Sequence, residues 1–169
     1  MKPRVATVED VPALVAVINR AYQVEAFFVA GPRTGEDEVR RRMGKPGACF
    51  LVIDAEDRDP RPGASAPPLA GAAFVELRGA RGYLGMLSVD PDRQRGGLGR
   101  ALVTAAEARC RAAGCRFLDI DVVSLRRELP PFYARLGFAA YDTAPFPEPA
   151  RLLREASLVL MTKPLVPLF

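Results

Sequence analysis

The chain has 169 residues, 49% hydrophobic and 26% charged, the size and balance of one globular domain and not of a disordered or fibrous chain. Its 24 basic and 20 acidic residues leave a net charge of +4, with the arginines scattered, which argues against a nucleic-acid-binding face. The lack of histidine removes Ser-His-Asp and Cys-His catalysis and the commonest metal ligand, and no apolar run approaches the roughly 20 residues of a membrane span.

From the N-terminus, residues 4–6 read as a short strand. The start of the chain leads into a polar helix start and does not have the look of a secretory signal. Thr7, Val8, Glu9 and Asp10 have the Thr-x-x-Asp form of that start. Leu14, Val17, Ile18, Ala21 and Tyr22 then follow at helical spacing, with Pro12 near the first turn. Gly31 and Pro32 break the pattern, and residues 36–43 predict a second, very polar helix closed by Gly44 and Pro46. Residues 49–54 form a compact strand. Residues 54–68, rich in Asp, Pro and Gly, predict a long mobile hairpin loop. Strands are expected at 69–77 and 83–89, with residues 79–82 as the turn between them. A glycine-rich loop then enters a helix over 97–113, capped by Gly114. A strand at 115–123, a short helix at 129–136 and strands at 137–141 and 157–162 complete the chain. Cys49, Cys110 and Cys115 form no CxxC pair, so a disulfide framework and a metal site are both unexpected and a reducing, cytoplasmic setting fits.

The order β-α-α-β-β-β-α-β-α-β-β has hairpins in one half and a β-α-β crossover over 83–123. It predicts an α+β sandwich: a mixed, mostly antiparallel sheet of six to seven strands with helices on both faces, in one domain spanning 1–169. Strand, glycine-rich loop and helix N-terminus together make an anion site, because free amides point outward and the helix dipole adds roughly half a positive charge. Gly96, Gly97 and Gly99 admit a phosphate to the backbone, and Arg95 and Arg100 add charge. The Walker Gly-Lys-Ser/Thr triplet is missing, and so is the third glycine of the dinucleotide fingerprint.

Leu87-Ser88-Val89-Asp90-Pro91, followed by Gln94-Arg95-Gly96-Gly97-Leu98-Gly99, resembles the signature of the GNAT superfamily of N-acetyltransferases, Gln/Arg-x-x-Gly-x-Gly/Ala after a strand. Phe132-Tyr133-Ala134-Arg135-Leu136-Gly137-Phe138 is similar to the family's second motif. The opening residues 4–10 are similar to its usual first strand and helix start. The resemblance covers essentially the whole chain. One departure stands out: many members carry an Asn before the second motif to contact the pantetheine, whereas here that stretch reads Leu125-Arg126-Arg127-Glu128.

The resemblance implies acetyl-CoA as acyl donor, no metal, and direct attack of an amine on the thioester. Its diphosphate would lie on Gln94, Arg95, Gly96, Gly97, Leu98, Gly99 and Arg100, and its thioester arm along Leu87, Ser88 and Val89 in a gap between two splayed parallel strands. Tyr133 occupies the family's general-acid position; a phenol near pKa ~10 protonating a thiolate near ~8.5 is uphill by about 2 kcal/mol. Where some members carry a Glu base on the fourth strand, this chain has Tyr83, and Glu76 is the nearest carboxylate candidate. Asp119 and Asp121 share one face of their strand by its period of two. In this fold the segment after the first helix walls the acceptor pocket, which makes Tyr22, Glu25 and Phe28 acceptor-binding candidates, with Asp121 beside them; the alternative is that the aromatics are core. The expected acceptor is an amine of a small molecule, amino acid or peptide, with no nucleic-acid or membrane partner. The apolar tail 165–169 would suit a homodimer interface. Two other readings are a non-catalytic CoA-binding or sensing domain on the same fold and a binder of another nucleotide's phosphates.

Overall fold

The computed structural model describes residues 2–56, 62–63 and 66–165. The expected order is found: β1 (Arg4–Val5), α1 (Val11–Ala21), α2 (Glu36–Met43), β2 (Ala48–Asp54), β3 (Leu69–Arg78), β4 (Arg81–Val89), α3 (Leu98–Ala112), β5 (Phe117–Val123), α4 (Leu129–Arg135), β6 (Ala139–Pro145) and β7 (Ser157–Pro164). One seven-stranded sheet runs β1-β2-β3-β4-β5-β7-β6, antiparallel except for the β4–β5 pair. Of the predicted loop after β2, residues 57–61 and 64–65 lie outside the described set. Its neck is closed by the Ala55 N–H, which donates to the Pro68 carbonyl at 3.2 Å.

Helices cover the sheet on both faces, which explains why β2 and β3 read as unbroken apolar runs rather than alternating ones. One core lies under α1 and α2, where Val11, Leu14, Val17, Ile18 and Val39 pack on Phe50, Phe74 and Met86. The other lies under α3 and α4, where Leu98, Leu102, Ala106 and Tyr133 pack on Leu51, Val75, Leu84 and Leu118. α1 starts later than the sequence suggested. Val8–Asp10 forms one 3-10 turn first, with the Thr7 amide donating to the Asp10 carboxylate at 2.8 Å. α2 is almost wholly polar and sets acids in its first turn and arginines in its last, complementing the helix dipole.

Two local differences from the sequence reading have plain causes. The β3–β4 turn is only Gly79 and Ala80, because Gly79 at φ +68° allows a two-residue connection and Arg78 pairs directly with Arg81. The tail expected at an interface begins with Leu165, which is buried in the α3-side core, its amide bonded to the Arg116 carbonyl; residues 166–169 lie outside the described set.

Candidate active site

β4 opens the sheet. It pairs with β5 only at Arg81–Phe117, Gly82–Leu118 and Tyr83–Asp119, and beyond Tyr83 the two strands pair no further. On its other side, β4 carries a bulge against β3: Ala72 faces Ser88 and Phe74 faces Gly85, so Ala73 alone spans Met86 and Leu87. Met86 takes up the extra residue at φ +51°, and the Ser88 hydroxyl donates to its carbonyl at 2.9 Å. The bulge reverses the side-chain alternation. Tyr83 and Met86 pack toward α1 and α2, while Leu84, Leu87 and Val89 pack toward α3. The β5-facing backbone edge of β4 past Tyr83 is therefore left without a strand partner.

The strand leads into the glycine-rich loop. Arg95 (φ +73°) and Gly97 (φ +77°) are left-handed, a curvature that turns successive amides the same way. No side chain caps α3, and its first-turn amides, Leu98, Gly99 and Arg100, have no carbonyl four residues back within the helix. Residues 94–97 are exposed, so these donors open outward. Leu98 buries its side chain in the core and leaves only its backbone to the loop surface.

Tyr133, on α4, is buried in the core on the α3 side of the sheet. Its ring packs edge-on against Phe132 and Phe138 at centroid distances of 5.1 and 5.6 Å. Although the side chain is buried, its hydroxyl makes no hydrogen bond to any described residue. Burial raises the phenol above its ordinary value, and Tyr22, Tyr83 and Asp121 add to that while Arg126 opposes it.

The Tyr83 hydroxyl donates to Asp121 Oδ2 at 3.0 Å. Gly85 makes this pose possible: a Cβ there would stand 2.8 Å from Tyr83 Cε1 and 2.9 Å from its hydroxyl. Arg78 lies 4.3 Å over the Tyr83 ring. Burial, and after it Asp121, raises the Tyr83 phenol, so it stays protonated at neutral pH. Asp119, one pleat away, is bound by Arg81 at 2.7 Å and by the Thr162 hydroxyl, leaving Asp121 as the exposed carboxylate of the pair.

The segment after α1 contributes Tyr22 and Glu25. Glu25 is buried and ion-paired with Arg126 at 2.9 Å, and Arg126 also grips Glu128 at 2.6 Å. Burial raises the Glu25 carboxyl, with Arg126 pulling the other way. Phe28 is fully buried and packs edge-on against Phe27 at 4.7 Å, as the core alternative for these aromatics expects. Glu76 is held by two cations. Its carboxylate accepts from Arg78 at 3.1 Å and Lys45 at 3.2 Å, and the Arg78 bond, with Lys45 behind it, lowers its proton affinity.

The Tyr83–Asp121 hydrogen bond thus joins β4 to β5, Glu25 is tied to Arg126 just after β5, and Glu76 is held by Arg78 and Lys45. Sequence reasoning missed Gly85 and the partnership of Arg126 with Glu25, which are 101 residues apart. No local pattern announces either.

A family model described as the acetyltransferase (GNAT) family matches residues 17–138. The chain belongs to the GNAT acetyltransferase family. Among its relatives is the mycothiol acetyltransferase of Saccharopolyspora erythraea, 30% identical over 142 residues, covering 79% of this chain. The chain spans 42% of the length of that relative and of the two further mycothiol acetyltransferases it is similar to. The ribosomal-protein-S18-alanine N-acetyltransferase of Escherichia coli has the same fold: TM-score 0.74 at 19% identity, covering 99% of this chain and 96% of that one. The yncA protein of Salmonella typhimurium, solved with its cofactor acetyl-CoA, gives a TM-score of 0.70 at 20% identity, covering 100% of this chain and 96% of that one.

Proposed function

We propose that the chain transfers an acetyl group from acetyl-CoA to a primary amine by direct attack on the thioester. The observation that carries the reading is the combination of an unpaired β4 edge, uncapped amides at the start of α3 and a buried tyrosine whose hydroxyl has no hydrogen-bond partner among the described residues. Each is a hydrogen-bonding group whose natural partner lies outside the chain. Acetyl-CoA fits this set: a diphosphate for the amides, amide-bearing pantetheine for the strand edge, and a sulfur for the phenol.

When bound, acetyl-CoA supplies an electrophilic thioester carbonyl. The loop from Gln94 to Arg100 holds the diphosphate through backbone amides, with Arg95 and Arg100 adding charge. The backbone at Leu87, Ser88 and Val89 aligns the acyl arm, and an amide there donates to the oxygen on which negative charge grows. Tyr133 gives its proton to the departing thiolate. Burial that raises the phenol also raises the proton affinity of a thiolate beside it, so the small gap between them persists. Asp121, with Tyr83 hydrogen-bonded to it, receives the proton shed by the amine. Tyr22 and Glu25 wall the acceptor side. Three buried cysteines, with burial pushing Cys110 up to about 12, suit a reducing, cytoplasmic protein working as one domain.

The test is an acceptor panel with acetyl-CoA and colorimetric detection of released thiol, alongside a calorimetric titration of CoA. Thiol release with at least one amine class is expected. Folded protein that ignores CoA at millimolar levels would sink the reading, and tight CoA binding without turnover of any amine would mark a CoA-binding domain instead.

A further inference from the structure

Two of the ties that hold the segment between α1 and α2 differ in kind. Over residues 28–32 the tie is made through backbone. Val29 bridges Leu152, the Leu153 N–H donates to the Phe28 carbonyl at 2.7 Å, and Arg151 donates to the carbonyls of Ala30 and Pro32. Closer to α1, the 3-10 turn Tyr22–Glu25 is reached by a side chain instead: Arg126, from the β5–α4 connection, donates through Nη1 to the Glu25 carboxylate at 2.9 Å.

Arg126 is presented from a fixed platform. The Ser124 N–H donates to the Ser157 carbonyl at 2.8 Å, and Ser124 Oγ accepts from the Ser157 N–H at 3.0 Å, so the connection leaves β5 locked to the start of β7. The Arg126 N–H then donates to the Val123 carbonyl at 2.9 Å, and the Arg126 carbonyl accepts from the Leu129 N–H at 3.1 Å. Its Nε donates to Glu128 at 2.6 Å, which fixes the plane of the guanidinium. Glu25 is held at both ends: its carboxylate by Arg126, and its carbonyl by the amides of Phe28 at 3.0 Å and Val29 at 2.9 Å.

The pair lies largely out of water, with the Arg126 and Glu25 side chains 16% and 9% exposed. Desolvation of two charges offsets much of their attraction, so a buried pair adds little net stability, and its best-attested use is to fix register. A planar guanidinium spanning two carboxylates fixes direction as well as distance. Its place in the fold says which register is fixed. β4 and β5 pair as far as Tyr83–Asp119, β5 runs on to Val123, and Arg126 follows beyond the parting. The pair therefore spans from the exit of β5 to the turn that carries Tyr22.

We propose that Arg126 is a positioning residue for the acceptor: by clamping Glu25 it sets how far the Tyr22–Glu25 turn stands from the end of β5. This rests on the acetyltransfer reading above, which puts the acceptor between that turn and Asp121.

The experiment compares wild type, Arg126→Gln, Arg126→Lys and Glu25→Gln by hydrogen exchange, by calorimetric titration of CoA, and by thiol release with the best amine of the acceptor panel. Arg126→Gln should speed exchange at the amides of Ala26, Phe28 and Val29, which bond within this turn, and leave the β2–β3 amides unchanged. It should raise the KM of the amine about tenfold, the scale of a misplaced substrate, with kcat and CoA affinity within about twofold of wild type. Arg126→Lys keeps the charge and loses the fork, and should recover part of the KM. Glu25→Gln leaves Arg126 a hydrogen-bond acceptor and no unpaired buried carboxylate, so it keeps the test open if Arg126→Gln fails to fold; it should move KM the same way by less. Unchanged exchange at those three amides, an unchanged KM in Arg126→Gln and Glu25→Gln, or a loss of CoA affinity matching the rise in KM would each overturn the proposal. Wild type that binds CoA yet releases no thiol with any amine would sink the acetyltransfer reading. Exchange alone would then decide the clamp, faster exchange in Arg126→Gln supporting it and unchanged exchange overturning it.

Discussion

The two sides of the β4–β5 gap are built from different material. On the proposed donor side the groups offered are mostly backbone: amides at the start of α3 and the open edge of β4, shaped by a left-handed Gly97 and a bulge at Met86. On the proposed acceptor side they are side chains drawn from distant elements: Tyr22 and Glu25 after α1, Tyr83 on β4, Asp121 on β5 and Arg126 before α4.

That contrast can be broken at several points. The largest effect is expected where the two halves meet. Tyr133→Phe removes the only proton that α4 presents to the gap and should lower kcat by about 10²-fold or more, the scale of a lost general acid, with CoA affinity nearly unchanged. Steady-state kinetics and calorimetry on the same preparation check both halves of that statement. A parallel loss of CoA binding would mean that Tyr133 merely packs.

On the donor side alone, Gly97→Val forces a β-branched residue to φ +77°. We expect CoA to bind about tenfold more weakly while the KM of the acceptor holds. An acceptor KM that moved with it would erase the division between the halves.

On the acceptor side alone, Gly85→Ala should push the Tyr83 ring off Asp121. The expected result is a several-fold loss in kcat/KM that matches Tyr83→Phe, and a double variant no worse than either single one, because both remove the same contact. Additive losses would show that Gly85 acts on the strand instead.

The smallest effect lies outside both halves. Arg4 holds Asp10 and Asp54, each at 2.8 Å. The Arg4 hydrogen bond, against the cost of burial, lowers the Asp10 carboxyl below its ordinary value. A carboxylate lowered on folding stabilises the fold above its unfolded value, and that contribution fades as pH falls through the folded value. Asp10→Asn should therefore cost about 1 kcal/mol at pH 7, a cap-sized effect, and progressively less as the pH falls below the ordinary carboxylate range. Thermal melts at the two pH values measure it, and CoA binding at pH 7 should not change.

Much of this architecture was legible because its signals are local. Helical spacing from Leu14 to Ile18, the polar run of α2, apolar β2 and β3, and the turn of pattern at Val89 fixed element order, and order with a β-α-β crossover fixed the sandwich. The loop and Tyr133 were legible for the same reason, as short contiguous motifs. The pairing of Tyr83 with Asp121 was not, since it depends on how far β4 and β5 stay in register before parting. Nor was the burial of Phe28, which an exposed Phe27 beside it disguises.

By itself, then, the amino-acid order determined which segments become strands and helices and where the backbone can receive a diphosphate, because those properties depend on residues within a turn or two of one another. Only the folded sheet decided which carboxylates are held by cations, as Glu76 and Asp119 are, and which take only a neutral partner among the described residues, as Asp121 does from Tyr83. Partnerships between side chains many tens of residues apart are settled by strand register and loop packing, and no local rule of sequence encodes those distances.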